Sequence, residues 1–434
     1  MILYSTNTPR HRVNLREAVM RGLAPDKGLY MPIDIPRLDQ TFFDRIRSLP
    51  FDELAFEVSK VLIGDEIPDT ALRSLVRKAV TFDAPLVKLK DHLFVQELFH
   101  GPTLAFKDFG ARFMAQLMGH FVQQDGEKLY ILVATSGDTG GAVASGFFQT
   151  PGIEVIILYP SGKVSGLQEK QLTTLGHNIT ALEVEGTFDD CQAMVKQAFV
   201  DEQINEKLRL TSANSINIAR LIPQSFYYFR AWQQMKEHHA PLSICVPSGN
   251  FGNLTAGLLA QKMGLPIDHF IAATNSNDVV PAYLQNGIFH ARKSIQTLSN
   301  AMDVGNPSNF VRMLELFGKN WQEMQNHISG YSFSDQETRA GIREVFHLFD
   351  YQIDPHGAVA YLAAKAFLKL HPSHQVVMLE TAHPSKFPQI VEEESGLSVS
   401  IPPRLAVLAE KKKVAHLIPN RYEALQSFLM GIDS

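Results

Sequence analysis

The chain has 434 residues, 45% hydrophobic and 20% charged, with a net charge of −5. This composition supports a large core and roughly two to three domains, and the lack of a basic excess argues against nucleic-acid binding. The apolar runs are too short to span a bilayer, the start Met1-Ile2-Leu3-Tyr4 lacks a signal-peptide pattern, and the distant Cys191 and Cys245 suit a reducing compartment. A cytoplasmic protein without a membrane or nucleic-acid partner is therefore expected. Residues 1–95 read as a mostly helical N-terminal extension, with helical spacing at Leu15–Met20, Phe42–Leu49 and Leu54–Ile63. Short runs apolar at every position then alternate with helical stretches: 130–134, 155–159, 181–184, 243–246, 270–273 and 376–379. Such runs predict parallel strands covered on both faces, hence an α/β fold. The tail segment Glu410-Lys411-Lys412-Lys413 reads as a solvated helix face.

The segments that follow the strands are small, polar and rich in hydroxyls. They are Thr135–Gly141, Pro247–Asn253, Thr274–Asp278 and Glu380–Ser385. Ligands of open α/β sheets bind at the carboxyl ends of strands, so these loops predict one ligand site. Gly249-Asn250-Phe251-Gly252-Asn253 leads into a helical pattern and offers backbone N–H groups to a phosphate, although it matches neither the dinucleotide nor the ATP fingerprint. A tight turn that uses glycine for its φ angles explains the same residues. Ser136-Gly137-Asp138-Thr139 repeats the design and suits a carboxylate, or simply caps a helix. Asn214, Ser215, Asn217 and Arg220 form a third polar cluster, with Arg220 a fork donor for phosphate. No metal-ligand spacing and no nucleophile elbow are present.

One stretch organises these loops: His100-Gly-Pro-Thr-Leu-Ala-Phe-Lys107-Asp-Phe-Gly110. Gly101 and Pro102 mark a loop, helical spacing begins at Lys107, and Leu104, Phe106 and Phe109 wall the lysine. Desolvation lowers a lysine pKa, and a deprotonated amine can form a Schiff base with an aldehyde. A lysine snorkelling its stem along apolar neighbours is the plainer reading. Taken together, the lysine, two anion-binding helix ends and an arginine cluster point to a pyridoxal-phosphate enzyme acting on an anionic amino acid.

That lysine stretch, Thr135-Ser-Gly-Asp-Thr-Gly140, Pro247-Ser-Gly-Asn-Phe-Gly252, Gly28-Leu-Tyr-Met-Pro32, Ser212-Ala-Asn-Ser-Ile-Asn217 and Thr381-Ala-His-Pro-Ser-Lys-Phe387 closely resemble the threonine synthase family in its bacterial and fungal form. The resemblance runs along nearly the whole chain. It implies a fold-type-II, tryptophan-synthase-β-like enzyme with the extension at 1–95, a large cofactor-binding domain at 96–110 and 221–434, and a small domain at 111–220. It also implies a lyase that converts O-phospho-L-homoserine and water to L-threonine and phosphate, the last step of threonine biosynthesis, as a monomer or homodimer. Under it, Lys107 carries pyridoxal 5′-phosphate and serves as general base and acid. Gly249, Asn250, Phe251, Gly252 and Asn253 cradle the cofactor phosphate, and Thr381 faces the pyridine nitrogen. Ser136, Asp138 and Thr139 bind the substrate carboxylate or lie near the cofactor's 3-oxygen. Asn214, Ser215 and Arg220 hold the substrate phosphate. The wider fold family often has Asn where this chain has Asp138. A dehydratase or cysteine-synthase-type relative, and a non-catalytic cofactor-binding protein, are the two alternative readings.

Overall fold

The computed structural model of the protein describes residues 1–235 and 240–432. Its first strands are β1 (Ile2–Ser5), β2 (Arg12–Asn14), β3 (Tyr30–Pro32), β4 (Leu86–Lys90) and β5 (Leu93–Glu97). There follow β6 (Leu129–Ala134), β7 (Ile153–Pro160), β8 (Ile179–Glu185), β9 (Leu210–Thr211) and β10 (Leu242–Pro247). The last are β11 (His269–Thr274), β12 (Ile328–Ser332), β13 (Gln375–Glu380) and β14 (His416–Pro419). They build a small sheet β2-β1-β3, a large sheet β12-β11-β10-β13-β5-β4 and a second large sheet β14-β8-β7-β6-β9. The last is parallel throughout. The six-stranded sheet is parallel except where β4 meets β5.

The six apolar runs of the sequence are the six strands β6, β7, β8, β10, β11 and β13. Every residue of β10 and β13 is buried, as central strands of a helix-covered parallel sheet must be. The longest helix, Lys107–Asp125, crosses from one large sheet to the other and stops at Gly126, whose left-handed conformation (φ 74°) lets its N–H close on Val122 O at 3.0 Å. Cys191 and Cys245 are free and buried, and burial pushes the Cys191 thiol up to about 12. Among the described residues, no helix is long and apolar enough to cross a membrane.

Three expectations need correction. Residues 1–95 are not only helical: β1–β3 form their own sheet, and β4 with the start of β5 already joins the six-stranded one. These strands are short or half-exposed, so their alternation is weak. Residues 221–434 do not all join the six-stranded sheet either, because β14 pairs with β8 in the other; residues 236–239 and 433–434 of that span lie outside the described residues. Glu410–Lys413 is not a helix face, since the preceding helix ends at Ala409 and Lys413 turns in to ion-pair with Glu169 (2.7 Å) and Glu183 (2.6 Å).

Candidate active site

Lys107 opens its helix beside the end of β13. Phe106 N–H donates to Thr381 O (2.9 Å), His383 N–H donates to Leu104 O (3.0 Å), and Ala105 bridges Ala382. This backbone zipper fixes the lysine next to Thr381. Asp108 behind it is buried and accepts from Thr103 N–H (2.8 Å) and Oγ1 (2.6 Å), which pins the turn that precedes the helix. The Lys107 side chain is only 18% exposed. Burial lowers its pKa against the pull of Asp138, and the nearby Lys386 and Arg220 push the same way.

Asp138 begins the helix Asp138–Phe147 at the end of β6. One carboxylate oxygen lies 3.8 Å from Lys107 Nζ. The other accepts from Lys386 Nζ at 2.5 Å and from Gln168 Nε2 at 2.7 Å. Burial opposes the charge, yet the two ammonium groups and these hydrogen bonds hold Asp138 well below the usual carboxylate range. Gly137 precedes it at φ 148°, a conformation that favours glycine, and a Cβ there would press on the Gln168 side chain at 2.9 Å. Thr135 Oγ1 accepts from Gly137 N–H (3.0 Å) and Gly140 N–H (2.9 Å), bracing the turn. Ser136 is exposed and Thr139 half-buried at the rim.

The loop Gly249–Asn253 enters the helix Gly252–Lys262. Phe251 is buried with φ 58°, a left-handed conformation uncommon outside glycine that is maintained here at a site. Gly249 seats against Ala301 and Met302; an ideal Cβ would stand 2.7 Å from the Ala301 carbonyl oxygen. The Asn253 side chain is occupied as a brace, accepting from Ser248 Oγ (2.8 Å) and Leu254 N–H (2.9 Å) and donating to Pro247 O (2.8 Å). Asn253 therefore offers a ligand its backbone N–H. First-turn N–H groups of a helix lack intrahelical acceptors, so the loop presents a donor-rich concavity suited to a phosphate. Asn250 Nδ2 donates to Ser215 Oγ at 2.7 Å, which places the Asn214–Ser215 segment against this loop.

Arg220 is buried, donates Nη1 to Ala213 O (2.8 Å), and leaves Nε without a partner. Burial pushes it down to about 10, and it feels the charge of Asp108 without forming an ion pair among the described residues. Asn217, by contrast, is a brace that caps its own helix and donates to Val19 O (2.8 Å). The loop after β11 is also scaffold: Asn275 Nδ2 donates to Thr297 Oγ1 (2.7 Å) and Asp303 Oδ1 (2.9 Å), knotting the segment on which Gly249 rests. The two loops belong to different sheets, one after β6 and one after β10, so the candidate site lies between the sheets rather than along one of them.

Sequence reasoning missed Lys386, Gln168, Asn309 and Arg312. Asn309 is fully buried with Nδ2 unpartnered, 3.3 Å from where a Gly252 Cβ would sit. Arg312 is fully buried, donates to Tyr30 O, Ile216 O and Asn309 Oδ1, and is pushed down to about 9 by desolvation. Lys386 lies inside the Thr381–Phe387 segment already singled out, but nothing local shows that it reaches Asp138. Lys386, Gln168 and Gln171 also line a cavity of about 300 Å³, together with Leu405. Among the described residues, no His, Cys, Asp and Glu cluster could hold a metal ion. A desolvated amine, a phosphate-sized cradle and two buried guanidinium groups without carboxylate partners fit a cofactor that carries an aldehyde and a phosphate, together with a second anion.

Comparison with known proteins agrees with this geometry. A family model described as pyridoxal-phosphate dependent enzyme matches residues 78–382. Models of the threonine synthase N terminus and C-terminal region match residues 3–80 and 357–429. The threonine synthase of Escherichia coli K12 is 45% identical over 434 residues, covering 99% of this chain and 100% of the relative. That of Saccharomyces cerevisiae is 37% identical over 449 residues, covering 89% of this chain and 87% of the relative. The crystal structure of the E. coli threonine synthase superposes with a TM-score of 0.91 at 44% identity, covering 99% of each chain. That of the threonine synthase from Brucella melitensis with bound pyridoxal phosphate superposes with a TM-score of 0.93 at 35% identity, covering 99% of this chain and 98% of the other.

Proposed function

The chain belongs to the threonine synthase family of pyridoxal-phosphate-dependent enzymes, and on that premise we propose that it converts O-phospho-L-homoserine and water to L-threonine and phosphate, the last step of threonine biosynthesis. Pyridoxal phosphate, when bound, withdraws electrons from the substrate's α carbon and so makes its proton labile. Lys107 would hold the cofactor's aldehyde carbon. With substrate bound, the Lys107 amine would take the proton from Cα and move protons at Cβ and Cγ as phosphate leaves. Its pKa, lowered first by burial, suits this role, because a lysine more readily freed of its proton can act as a base.

The backbone of Gly249–Asn253 would bind the cofactor phosphate, and Thr381 would orient the ring through its hydroxyl. Asp138 would lie near the cofactor's 3-oxygen. The rim residues Ser136 and Thr139 would hold the substrate carboxylate, and Asn214, Ser215 and Arg220 its phosphate. Closure of the sheets around the ligand would exclude bulk water while one water adds at Cβ.

The observation that carries the substrate assignment is Arg220, buried beside the Lys107 helix with Nε unpartnered and no ion pair among the described residues. Substrates of dehydratases and of cysteine-synthase-type enzymes carry no γ-phosphate to neutralise it. Purified enzyme given O-phospho-L-homoserine should release phosphate and threonine in equal amounts. Formation of 2-oxobutanoate in place of threonine would move the chain to the dehydratase class. Lys107→Ala should abolish turnover, and Arg220→Ala should lower kcat/KM by about 100-fold or more while the cofactor stays bound, as loss of a buried charged contact implies. Unchanged kinetics in Arg220→Ala would overturn the phosphate-clamp assignment.

A further inference from the structure

The charges around Lys107 do not balance without Lys386. Asp138 is a carboxylate held against the reacting amine, and the cofactor brings a second oxyanion, because its phenolic oxygen is ortho to the aldehyde carbon that Lys107 captures. Two anions beside a single nitrogen cation would repel each other in a site from which water is largely excluded. Lys386 supplies the second cation. Its side chain is 2% exposed and Asp138's is 7%; the pair is 2.5 Å apart and joins the segment after β13 to the helix after β6, so it also crosses between the two large sheets. The other charges that reach the group are few: Lys107 feels Asp138, Lys386 and Arg220, while Lys386 and Arg112 act on the buried Asp108. Gln168, the remaining partner of Asp138, is neutral.

We propose that Lys386 is a positioning residue whose ammonium pairs with Asp138 and thereby sets the proton affinity of the Lys107 nitrogen and the cofactor's 3-oxygen. The inference rests on the cofactor site proposed above. It accounts for a carboxylate at 138 where the wider fold family often has an amide: the aspartate and the lysine act as a neutral pair, and either alone leaves a buried charge.

The test uses four holoenzymes, the wild type, Lys386→Met, Asp138→Asn and the double variant, each followed by the absorbance of bound cofactor across pH. With Lys386 gone, uncompensated Asp138 favours the proton, and the titration midpoint should rise by about one to two pH units. With Asp138 neutralised, uncompensated Lys386 disfavours the proton, and the midpoint should fall by a similar amount. The double variant, which buries no unpaired charge and is the safest to fold, should return to within about half a unit of wild type. Single variants that shift in the same direction, a double variant that carries only one of the single shifts, or four proteins that titrate alike or not at all would overturn the proposal. Borohydride reduction and mass analysis of the wild type keep the two readings apart. A cofactor adduct on Lys107 without opposed shifts sinks this inference alone, whereas no adduct on Lys107 sinks the cofactor site itself.

Discussion

Glu380 sits immediately before Thr381, and its surroundings reverse the usual preference of a carboxyl group. It is fully buried; Oε1 accepts from Asp354 N–H at 2.9 Å, Oε2 has no partner, and a side chain at Gly357 would collide with it. Asp354 is already committed to Gly357 N–H (2.8 Å) and His356 Nδ1 (2.5 Å). Burial first, and the neighbouring Asp354 second, raise the Glu380 pKa well above its ordinary value, so folding favours its neutral form. In the unfolded chain a glutamate ionises near pH 4.3. Above that pH unfolding releases a proton, so this residue's contribution to stability declines as pH rises toward its folded pKa. Glu380→Gln keeps the shape and removes the titration. Its stability should match wild type near pH 4 and exceed it progressively toward pH 8 when urea midpoints are compared. A difference that is constant or shrinks with pH would contradict a neutral Glu380. Lys107 was legible in the sequence because its loop-to-helix switch and apolar walls are local. Lys386 was not, because its partner is 248 positions away, and Arg312 was not, because two of its acceptors, Tyr30 O and Ile216 O, are carbonyls that only the fold brings near.

The loop Gly249–Asn253 shows how an element can hold strained backbone at a candidate site. Phe251 at φ 58° costs on the order of 1 kcal/mol for a non-glycine residue. The loop is held there by the Asn253 side chain, by Tyr228 OH donating to Asn253 O at 2.7 Å, and by Gly249 seated on the 301–302 backbone. Asn253→Ala removes three hydrogen bonds from a buried site, and its melting should show a loss of about 2–4 kcal/mol. Its cofactor should also dissociate faster on dialysis, because the N–H groups no longer converge. Equal cofactor retention would mean that the loop keeps its shape without the brace. The same comparison explains which elements the sequence revealed. β6, β7, β8, β10, β11 and β13 were legible because sheet interiors demand apolar residues at nearly every position. β9 has only two residues, and β12 and β14 are edge strands with partly exposed side chains, so they carry no such pattern.

At the scale of the molecule, the last thirty or so residues tie the two large sheets together. Helix Pro403–Ala409 packs on helix Gly166–Thr173, Arg404 donates to His100 O (2.8 Å), and Val414 N–H donates to Thr173 O (2.9 Å). β14 then extends the five-stranded sheet, and helix Tyr422–Met430 buries Leu425 and Leu429 completely against its outer helices. Motion of one sheet against the other must therefore carry this tail with it, and its pairing with β8 was not legible in the sequence because chain order says nothing of a late return. Truncation before Lys411 would expose the β8 edge and leave those two leucine sites empty, at about 2–3 kcal/mol each. That sum is a large share of the roughly 5–15 kcal/mol that holds a typical domain folded. Calorimetry should show the five-stranded sheet of the truncated protein melting apart from the rest and earlier than it does in the full chain. Because Asp138 stands at the end of β6 in that same sheet, cofactor should be lost in the early transition. A single transition at the full-length midpoint, with cofactor retained through it, would show that the sheet closes its core without the tail.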